Sequence, residues 1–230
     1  MNNKPLVSVI IPVYNTERYV AEAVQSVLAQ TYRPLEVICI NDGSTDASLE
    51  RLYSFGDAVR TIDLSENVGA AETRNIGAHA SIGEYLAFMD ADDLCEAEKI
   101  MWQMDAFDKN PSLDVCFTHL SCFISPELPE EVKQTRYCPP EPQAGYVAAT
   151  VLMKRKVFDR VGDFDARWRV GEFIDWYTRA QEKGVRSLLL PDVLLRRRIH
   201  DRNMGVTTRG ARGDYIRIAR EALARKRKKD

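Results

Sequence analysis

Three aspartates in the string DADD, residues 90 to 93, are the first residues that suggest chemistry. Asp90 and Asp92 are two residues apart and follow the apolar run YLAFM. Two carboxylates at this spacing on a turn can both bind one hard divalent cation and leave positions open for water. As an alternative, the acids with Asp93 form a solvated helix N-terminus, where the dipole favours negative charge. Like charges after an apolar strand need compensation, which favours the cation site.

Two other polar strings follow apolar runs in the same way. PVYN occupies residues 12 to 15 and NDGSTD occupies residues 41 to 46. Asp42, Gly43 and Asp46 also have the composition of a plain turn with a helix cap, and that interpretation stays open.

The elements that must position these strings alternate between strands and helices. The pattern predicts strands at residues 7–13, 35–40, 61–64 and 85–89, with helical spacing at 20–28 and 70–80 and a short helix near 49–52. Such alternation is typical of a parallel, doubly wound α/β sheet, in which ligands bind beyond the carboxyl ends of the strands. All three polar strings lie at those ends, which predicts a shared binding edge.

The N-terminal half closely resembles glycosyltransferase family 2. The resemblance is carried by SVIIPVYN (8–15), VICINDGSTD (37–46) and NVGAAETRNIGAHASIGEYLAFMDADD (67–93). It implies the GT-A fold, a Rossmann-like and mostly parallel α/β sheet flanked by helices, with an acceptor-side subregion and a C-terminal helical tail. It also implies an enzyme that moves a sugar from a nucleotide diphosphate sugar by single displacement, with inversion at the anomeric carbon.

The resemblance assigns three residues to the nucleoside. Pro12 and Tyr14 would line the nucleoside pocket, and Asp42 would accept a hydrogen bond from the base. One aromatic ring and one carboxylate acceptor suit a pyrimidine, so uridine is the favoured nucleoside, with thymidine and guanosine as alternatives.

The same resemblance assigns residues to the diphosphate and its cation, either Mn²⁺ or Mg²⁺. Arg74 would lie near the diphosphate or the aspartates, Asp90 would reach the ribose and the metal, and Asp92 would ligate the metal. His200, in the string RRRIH (196–200), matches a family histidine that completes the metal site or touches the diphosphate. A structural histidine is the alternative. The arginines of this string are predicted to neutralise phosphate, although three in a row on a strand cannot all point inward.

Residues 157–184 resemble the acceptor-side segment of the family, in which a Gly-Phe-Asp turn precedes acids that open a helix. Glu172 and Asp175 match those acids and lie three residues apart on one helical face. The mechanism needs one carboxylate as general base, and we favour Glu172, with Asp175 orienting the acceptor or capping the helix. Phe173 stands where many members have Asp, which leaves the base assignment open. As an alternative, both acids only favour the start of the helix and have no role in catalysis.

The rest of the second half gives weaker signals. A helix is predicted at residues 99–107 and a strand at 113–117, and the proline-rich stretch 124–143 is predicted to be an acceptor-side loop or lid. Trp168, Trp176 and Tyr177 could stack on a sugar or peptide acceptor or belong to the core.

Composition is that of a globular protein with one domain. The 230 residues are 45% hydrophobic and 29% charged, with a net charge of −2, which argues against nucleic acid as a partner. We predict one glycosyltransferase domain at 1–208, with a nucleotide-sugar half at 1–110 and an acceptor half at 111–208. The five cysteines have no metal-binding spacing, and no secretory or membrane-spanning pattern is found, so we expect a cytoplasmic protein.

The predicted C-terminal tail, residues 209–230, differs in charge from the body. It contains nine Lys or Arg against three acids, so it carries +6 and the body carries −8. Tyr215, Ile216, Ala219 and Leu223 form a thin apolar stripe on this basic helix. The tail is expected to contact an anionic membrane surface or an acidic partner, or to pack on the acidic body.

The sequence therefore predicts a metal-dependent inverting glycosyltransferase that acts on a peptide, glycan or lipid-linked acceptor. Two alternatives remain. One is a nucleotide-sugar-binding protein that has lost catalysis, because Phe173 replaces an expected acid. The other is a phosphohydrolase with Asp90 as nucleophile and Asp92 as acid, which would leave PVYN and NDGSTD without a purpose.

Overall fold

Apolar runs of the N-terminal half form four parallel strands. A computed structural model describes residues 4–203, 209–211 and 213–227. The strands are β1 (Val7–Val13), β2 (Leu35–Asp42), β3 (Arg60–Leu64) and β4 (Tyr85–Phe88). Their order is β3-β2-β1-β4, with every pair parallel. The predicted strands are confirmed to within two residues at each end.

The second half extends the same sheet with mixed pairing. It contributes β5 (Leu94–Cys95), β6 (Val115–Ile124), β7 (Gln143–Ala144), β8 (Leu152–Lys154) and β9 (Ser187–Ile199). From β4 the order continues β8-β6-β9-β5, and β7 pairs with β6. Only the β6–β9 pair is parallel among these described strands. The predicted strand at 113–117 was too short, because pairing along β9 extends β6 to Ile124.

Helices cover both faces of the sheet. They are α1 (Val20–Leu28), α2 (Ser48–Tyr53), α3 (Ala70–Ala80), α4 (Lys99–Lys109), α5 (Glu130–Gln134), α6 (Arg155–Val161), α7 (Glu172–Glu182) and α8 (Gly213–Arg227). Residues of α1, α2 and α4 pack in one core cluster, and those of α3, α6 and α7 pack in the other. This is the three-layer α/β arrangement that the alternation predicted.

Close contact between α3 and the sheet depends on Gly77. A Cβ atom at this position would lie 2.4 Å from Ile10 Cγ2 and 2.6 Å from Ile40 Cδ1. Glycine thus lets α3 approach β1 and β2, which fixes the helix that carries Arg74.

The segment 124–143 is only partly the loop that its prolines predicted. Glu130–Gln134 forms helix α5, and Gln143 pairs with Leu120 at the start of β7. Its first residues are anchored, since Tyr19 Oη donates to Glu127 Oε1 at 2.6 Å and Ser125 Oγ donates to the same carboxylate. A role as lid stays a prediction.

The division into two halves and a tail also stays a prediction. One sheet carries strands from both sides of residue 110, and the boundary at residue 208 lies outside the described residues, as do residues 228–230 of the tail. No helix within the described ranges is long and apolar enough to cross a membrane.

Lys99 is a charged residue within the core, 3% exposed. Its Nζ donates to Gln103 Oε1 at 3.3 Å. Burial lowers the pKa of Lys99 from 10.5 to about 8, although Cys95 and Cys116 act in the opposite direction. Below pH 8 the ammonium is charged in both states, and the folded state carries the full cost of burying it.

We expect Lys99→Met to stabilise the fold near pH 7. Removing a buried charge whose pKa is lowered this far should raise the free energy of unfolding by about 3 kcal/mol. The Gln103 carbonyl loses its donor in the variant, which should lower the free energy of unfolding by about 1–2 kcal/mol. Relative to the variant, the native protein should also gain stability as pH rises from 8 to 10.5, because Lys99 loses its proton in this range only in the folded state. Urea unfolding across this pH range measures both effects. Lys109→Met, an exposed lysine on the same helix, is the control, and a variant less stable than the native protein would contradict the assignment.

Candidate functional site

The loops after β1 and β2 are joined at the carboxyl edge of the sheet. Asn15 adopts a left-handed conformation with φ of 51°, which asparagine tolerates better than most residues. Its Oδ1 accepts from the backbone N of Thr45 at 2.8 Å, and its own backbone N donates to Ser44 Oγ at 3.0 Å. PVYN and NDGSTD thus form one surface, as the sequence predicted.

Pro12 and Tyr14 lie at the end of β1. Pro12 is half-buried, and Tyr14 is exposed beyond the strand end. The backbone O of Ile10 accepts from the backbone N of Met89 at 3.0 Å, at the end of β4. The backbone groups of successive residues in a strand point alternately to its two neighbouring strands, so those of Pro12 point to the side of β4, which has ended at this level. Proline has no N–H to pair there, which suits a point where two strands separate.

Asp42 is buried and holds the start of α3. Its carboxylate accepts from the backbone N of Val68 at 2.7 Å and of Gly69 at 3.1 Å, and from Asn67 Nδ2 at 3.0 Å. These contacts fix the loop that leads into the helix of Arg74. The predicted hydrogen bond that a nucleoside base would donate to Asp42 stays a prediction, and the structure adds a positioning role for this carboxylate.

Arg74 joins two of the predicted carboxylates. Its Nη2 lies 2.7 Å from Asp90 Oδ1, and its Nη1 lies 2.6 Å from Glu172 Oε1. Burial lowers the pKa of Arg74, but the two carboxylates outweigh that effect and raise it above its usual value. The buried Nε of Arg74 has no hydrogen-bond partner within the described residues. The structure therefore brings a residue predicted for the donor side, Asp90, and one predicted for the acceptor side, Glu172, together around one guanidinium.

A second pair is formed by Asp92 and His200. His200 Nε2 lies 2.8 Å from Asp92 Oδ2, and Asn203 Nδ2 donates to the same oxygen at 3.3 Å. The imidazole is buried, and its ring centre lies 4.5 Å from that of Tyr19. The predicted proximity of this histidine to the aspartates is thus present in the structure.

Arg198 holds the turn that carries the aspartates. Its Nε donates to the backbone O of Asp92 at 2.9 Å, and its backbone N donates to Asp93 Oδ1 at 2.9 Å. The side chain is buried and also pairs with Glu22. Of the three arginines predicted to neutralise phosphate, Arg198 instead supports the turn, whereas its two predecessors are exposed.

Asp93 reduces the repulsion within this turn. Burial, followed by the charges of Asp92 and Asp90, raises the pKa of Asp93 well above its usual value. A carboxyl with a raised pKa keeps its proton to higher pH, which lowers the local negative charge.

Asp175 is not brought into this cluster. Its Oδ2 lies 2.8 Å from Arg179 Nε, and its Oδ1 lies 3.5 Å from Arg225 Nη1 of α8. The carboxylate is buried under α8, one turn after Glu172, and Gly171 occupies the helix cap. An acceptor-orienting role for Asp175 stays a prediction without a supporting contact.

The predicted cation ligands divide between two partners. Asp90 is turned towards Arg74 and Asp92 towards His200, and no three Asp, Glu, His or Cys side chains in the described ranges gather as a complete metal site. Asp90 Oδ2 and Asp92 Oδ1 each lack a hydrogen bond from the described residues. Two carboxylate oxygens without a partner suit Mn²⁺ or Mg²⁺, so Asp90 and Asp92 fit such a cation. Both ring nitrogens of His200 are engaged, Nε2 by Asp92 and Nδ1 by the backbone N of Arg202, so a role of His200 as a direct metal ligand stays a prediction without a supporting contact.

The aromatic side chains of the acceptor segment belong mainly to the core. Trp168 and Trp176 are buried, and Tyr177 stacks on Phe173 with ring centres 6.3 Å apart. Stacking of the two tryptophans on an acceptor is therefore wrong, and their core alternative is confirmed.

A sequence model described as Glycosyl transferase family 2 matches residues 8–170. The chain belongs to this family. An uncharacterized glycosyltransferase of Rickettsia typhi is 31% identical over 211 residues, which cover 86% of this chain and 65% of the relative. Another from Haemophilus influenzae is 37% identical over 130 residues, covering 55% and 40%. The chain thus spans less than two thirds of the length of either relative.

Two solved structures share the fold. TarS 1–349 of S. aureus in complex with UDP-GlcNAc superposes with a TM-score of 0.73 at 20% identity, covering 86% of this chain and 60% of that one. A mannosyltransferase of Pyrobaculum calidifontis in complex with GDP-Man and Mn²⁺ gives 0.67 at 20% identity, covering 88% and 59%. The predicted GT-A fold is confirmed.

Three residues that contact the candidate site were missed by sequence reasoning. Tyr19 packs on His200, Asn203 reaches Asp92, and Asn75 closes the acceptor segment by exchanging two hydrogen bonds of 2.9 Å with the backbone of Phe164. The signal for Asn75 was its place next to Arg74 on α3. Tyr19 has no signal in spacing, because its partner His200 lies more than a hundred residues away, whereas Asn203 follows His200 by three residues and its Oδ1 accepts from the backbone N of His200 at 2.6 Å.

The C-terminal helix supports the turn before Glu172. Asp214 Oδ2 accepts from the backbone N of Arg169 at 3.1 Å. Gly171 has φ of +80°, and a Cβ there would lie 3.0 Å from Ile218 Cδ1 and from Tyr215 Cε1. Helix α8 thus packs directly on the backbone that delivers Glu172 to Arg74.

We expect Gly171→Ala to cost more stability than Gly184→Ala. Both glycines have positive φ at the ends of α7, so alanine adds about 1–3 kcal/mol of backbone strain at either site. Only at Gly171 does the methyl group also press on α8, since nothing lies within 4 Å of the Gly184 position. Chemical denaturation of both variants measures the difference, and equal losses would argue against tight packing of α8.

Proposed function

We propose that this protein transfers a sugar from a nucleotide diphosphate sugar, most favourably a UDP-sugar, to an acceptor nucleophile with inversion. The observation that carries the proposal is the bridge from Asp90 through Arg74 to Glu172. In this bridge, a single guanidinium group links the carboxylate of Glu172, on the proposed acceptor side, to Asp90 on the proposed donor side. A direct displacement with inversion requires the base and the acceptor on one face of the anomeric carbon and the leaving group on the other, with both sides held in place at once.

In the proposed reaction, Glu172 is the general base. Arg74 contacts Oε1 of Glu172, and Oε2 has no hydrogen-bond partner within the described residues. This oxygen takes the proton of an acceptor hydroxyl as the acceptor oxygen attacks the anomeric carbon. The bond from that carbon to the diphosphate oxygen breaks at the same time, and the nucleoside diphosphate leaves with the electron pair.

Charge on the leaving diphosphate is the second requirement. A divalent cation, when bound, supplies positive charge that stabilises this group. Asp90 and Asp92 would hold the cation, and His200 orients Asp92 by its contact at 2.8 Å. The unpartnered Nε of Arg74 leaves one donor for a phosphate oxygen.

The nucleoside, the acceptor and the location have separate grounds. The exposed ring of Tyr14 suits stacking on uridine, and one structural neighbour was solved with UDP-GlcNAc. Asp42 lies at the same sheet edge, where its carboxylate holds the loop before α3. We propose a peptide, glycan or lipid-linked sugar as acceptor. We also propose a cytoplasmic location, because all five cysteines are free thiols and reducing compartments keep thiols unpaired.

A thermal-shift panel of nucleotide sugars with Mn²⁺ tests the donor. A donor present at about 100 times its Kd adds about 2.7 kcal/mol, which should raise the unfolding temperature by roughly 5–10 °C. We expect the largest shift from a UDP-sugar in the presence of metal. A shift with no transfer product would favour the alternative of a binding protein, and no shift with any nucleotide sugar would refute the proposal.

A further inference from the structure

Helix α8 is docked on the body by one face. Ile218 and Asp214 are buried, and Arg225 Nη1 lies 3.5 Å from Asp175 Oδ1 of α7. Arg167 Nη2 lies 3.4 Å from Glu221 Oε2. The predicted packing of the basic tail on the body is therefore observed, and it uses this face.

The opposite face of α8 leaves apolar side chains in solvent. Ile216 is 58% exposed and Leu223 is 59% exposed, whereas the ring of Tyr215 lies against Gly171 on the docked side. Ile216 and Leu223 lie roughly 140–160° around the helix from Ile218. We call Ile216, Ala219 and Leu223, together with the exposed basic residues Arg220, Lys226 and Arg227, the outer face. An exposed apolar stripe on an already docked helix has no role in holding that helix in place.

Charge is segregated between the two faces. Both acids of the helix, Asp214 and Glu221, pair with residues on the docked side. Arg220, Lys226 and Arg227 are exposed and make no ion pair within the described residues. The sequence continues with two further lysines. The outer face therefore combines apolar side chains with positive charge and contains no acid.

We propose that the outer face of α8 docks on an anionic lipid bilayer surface. Apolar side chains flanked by Lys and Arg on one face of a helix are the composition of interfacial helices, which insert the former and pair the latter with lipid headgroups. A second copy of the chain fits poorly, since two outer faces would bring like charges together. The proposal is independent of the transfer reaction.

Vesicle co-sedimentation of the full chain tests the proposal. The probe is a vesicle of phosphatidylcholine with about one quarter phosphatidylglycerol, compared with pure phosphatidylcholine. Each basic residue at an anionic surface strengthens binding about fivefold, so three of them give roughly hundredfold preference for the anionic vesicle. Raised salt should reduce this preference. Equal binding to both vesicles, or none, would overturn the proposal.

Two variants separate the contributions of the outer face. Ile216→Ser with Leu223→Ser should weaken binding by roughly tenfold or more, and Arg220→Gln with Lys226→Gln and Arg227→Gln should remove the preference for anionic lipid. The control is Ile82→Ser, because Ile82 is 77% exposed on another part of the chain. All variants should keep the native circular dichroism spectrum. If the control loses as much binding as the double variant, or if the double variant binds the anionic vesicle as tightly as the native chain, the proposal fails.

Discussion

Glu172→Gln should lower sugar transfer by about 10²–10⁴-fold and leave donor binding unchanged. Glutamine keeps the shape of the side chain and an oxygen to accept from Arg74 Nη1, but it cannot take a proton from the acceptor. The loss corresponds to about 3–5 kcal/mol in the activation barrier. Initial rates with saturating donor measure the transfer step, and calorimetric titration of the donor measures binding.

Glu182→Gln is the matched control for this experiment. Glu182 lies at the far end of the same helix, and its carboxylate is 3.0 Å from an arginine, Arg225. Substitution there changes the same chemical group without touching the proposed site, so the transfer rate should stay near that of the native protein. If Glu172→Gln retains full activity while Asp175→Asn loses it, then the base is Asp175.

Phe173 explains how the chain keeps a carboxylate at the site despite its departure from the family pattern. The ring is buried and lies among Phe117, Phe164, Trp176 and Tyr177. An aspartate in this conformation would be placed in an apolar cluster, where ionisation is costly. The preceding residue, Glu172, contacts Arg74 instead. Two adjacent residues of α7 therefore point in different directions, Phe173 into the core and Glu172 towards the site. The loss of an acid at 173 therefore does not by itself argue for a protein without catalysis.

The predictable part of the site is the part set by local patterns. Apolar runs ended by PVYN, NDGSTD and DADD place three polar strings at one sheet edge, because parallel strands share their direction. This prediction does not require knowing which side chains contact each other. The parallel pairing of β1 with β2 and with β4 confirms it.

The remainder depends on contacts between distant segments. Glu172 and Asp175 share a helical face, but α8 covers Asp175 alone, and nothing in the spacing of α7 predicts where α8 docks. Arg198 was predicted to bind phosphate, yet its guanidinium lies 4.9 Å from the ring of Tyr19 and 4.8 Å from that of Phe123. Long-range packing, which sequence periodicity does not encode, decides which charged residues reach the site.

Asp92→Ala should abolish the metal dependence of donor binding. Asp92 Oδ2 is engaged by His200, which leaves Oδ1 for a cation, and alanine removes both oxygens. Loss of an outer-shell partner alone costs about 10–100-fold in metal affinity, so loss of a direct ligand should cost more. Titration of a UDP-sugar with and without Mn²⁺ should give the same Kd for the variant. Asp201→Asn is the control, since its carboxylate lies 3.9 Å from the Nδ1 of the same histidine and is half exposed. Unchanged manganese dependence in Asp92→Ala would show that the cation is held elsewhere, and loss of it in Asp201→Asn would place the ligand one residue beyond His200.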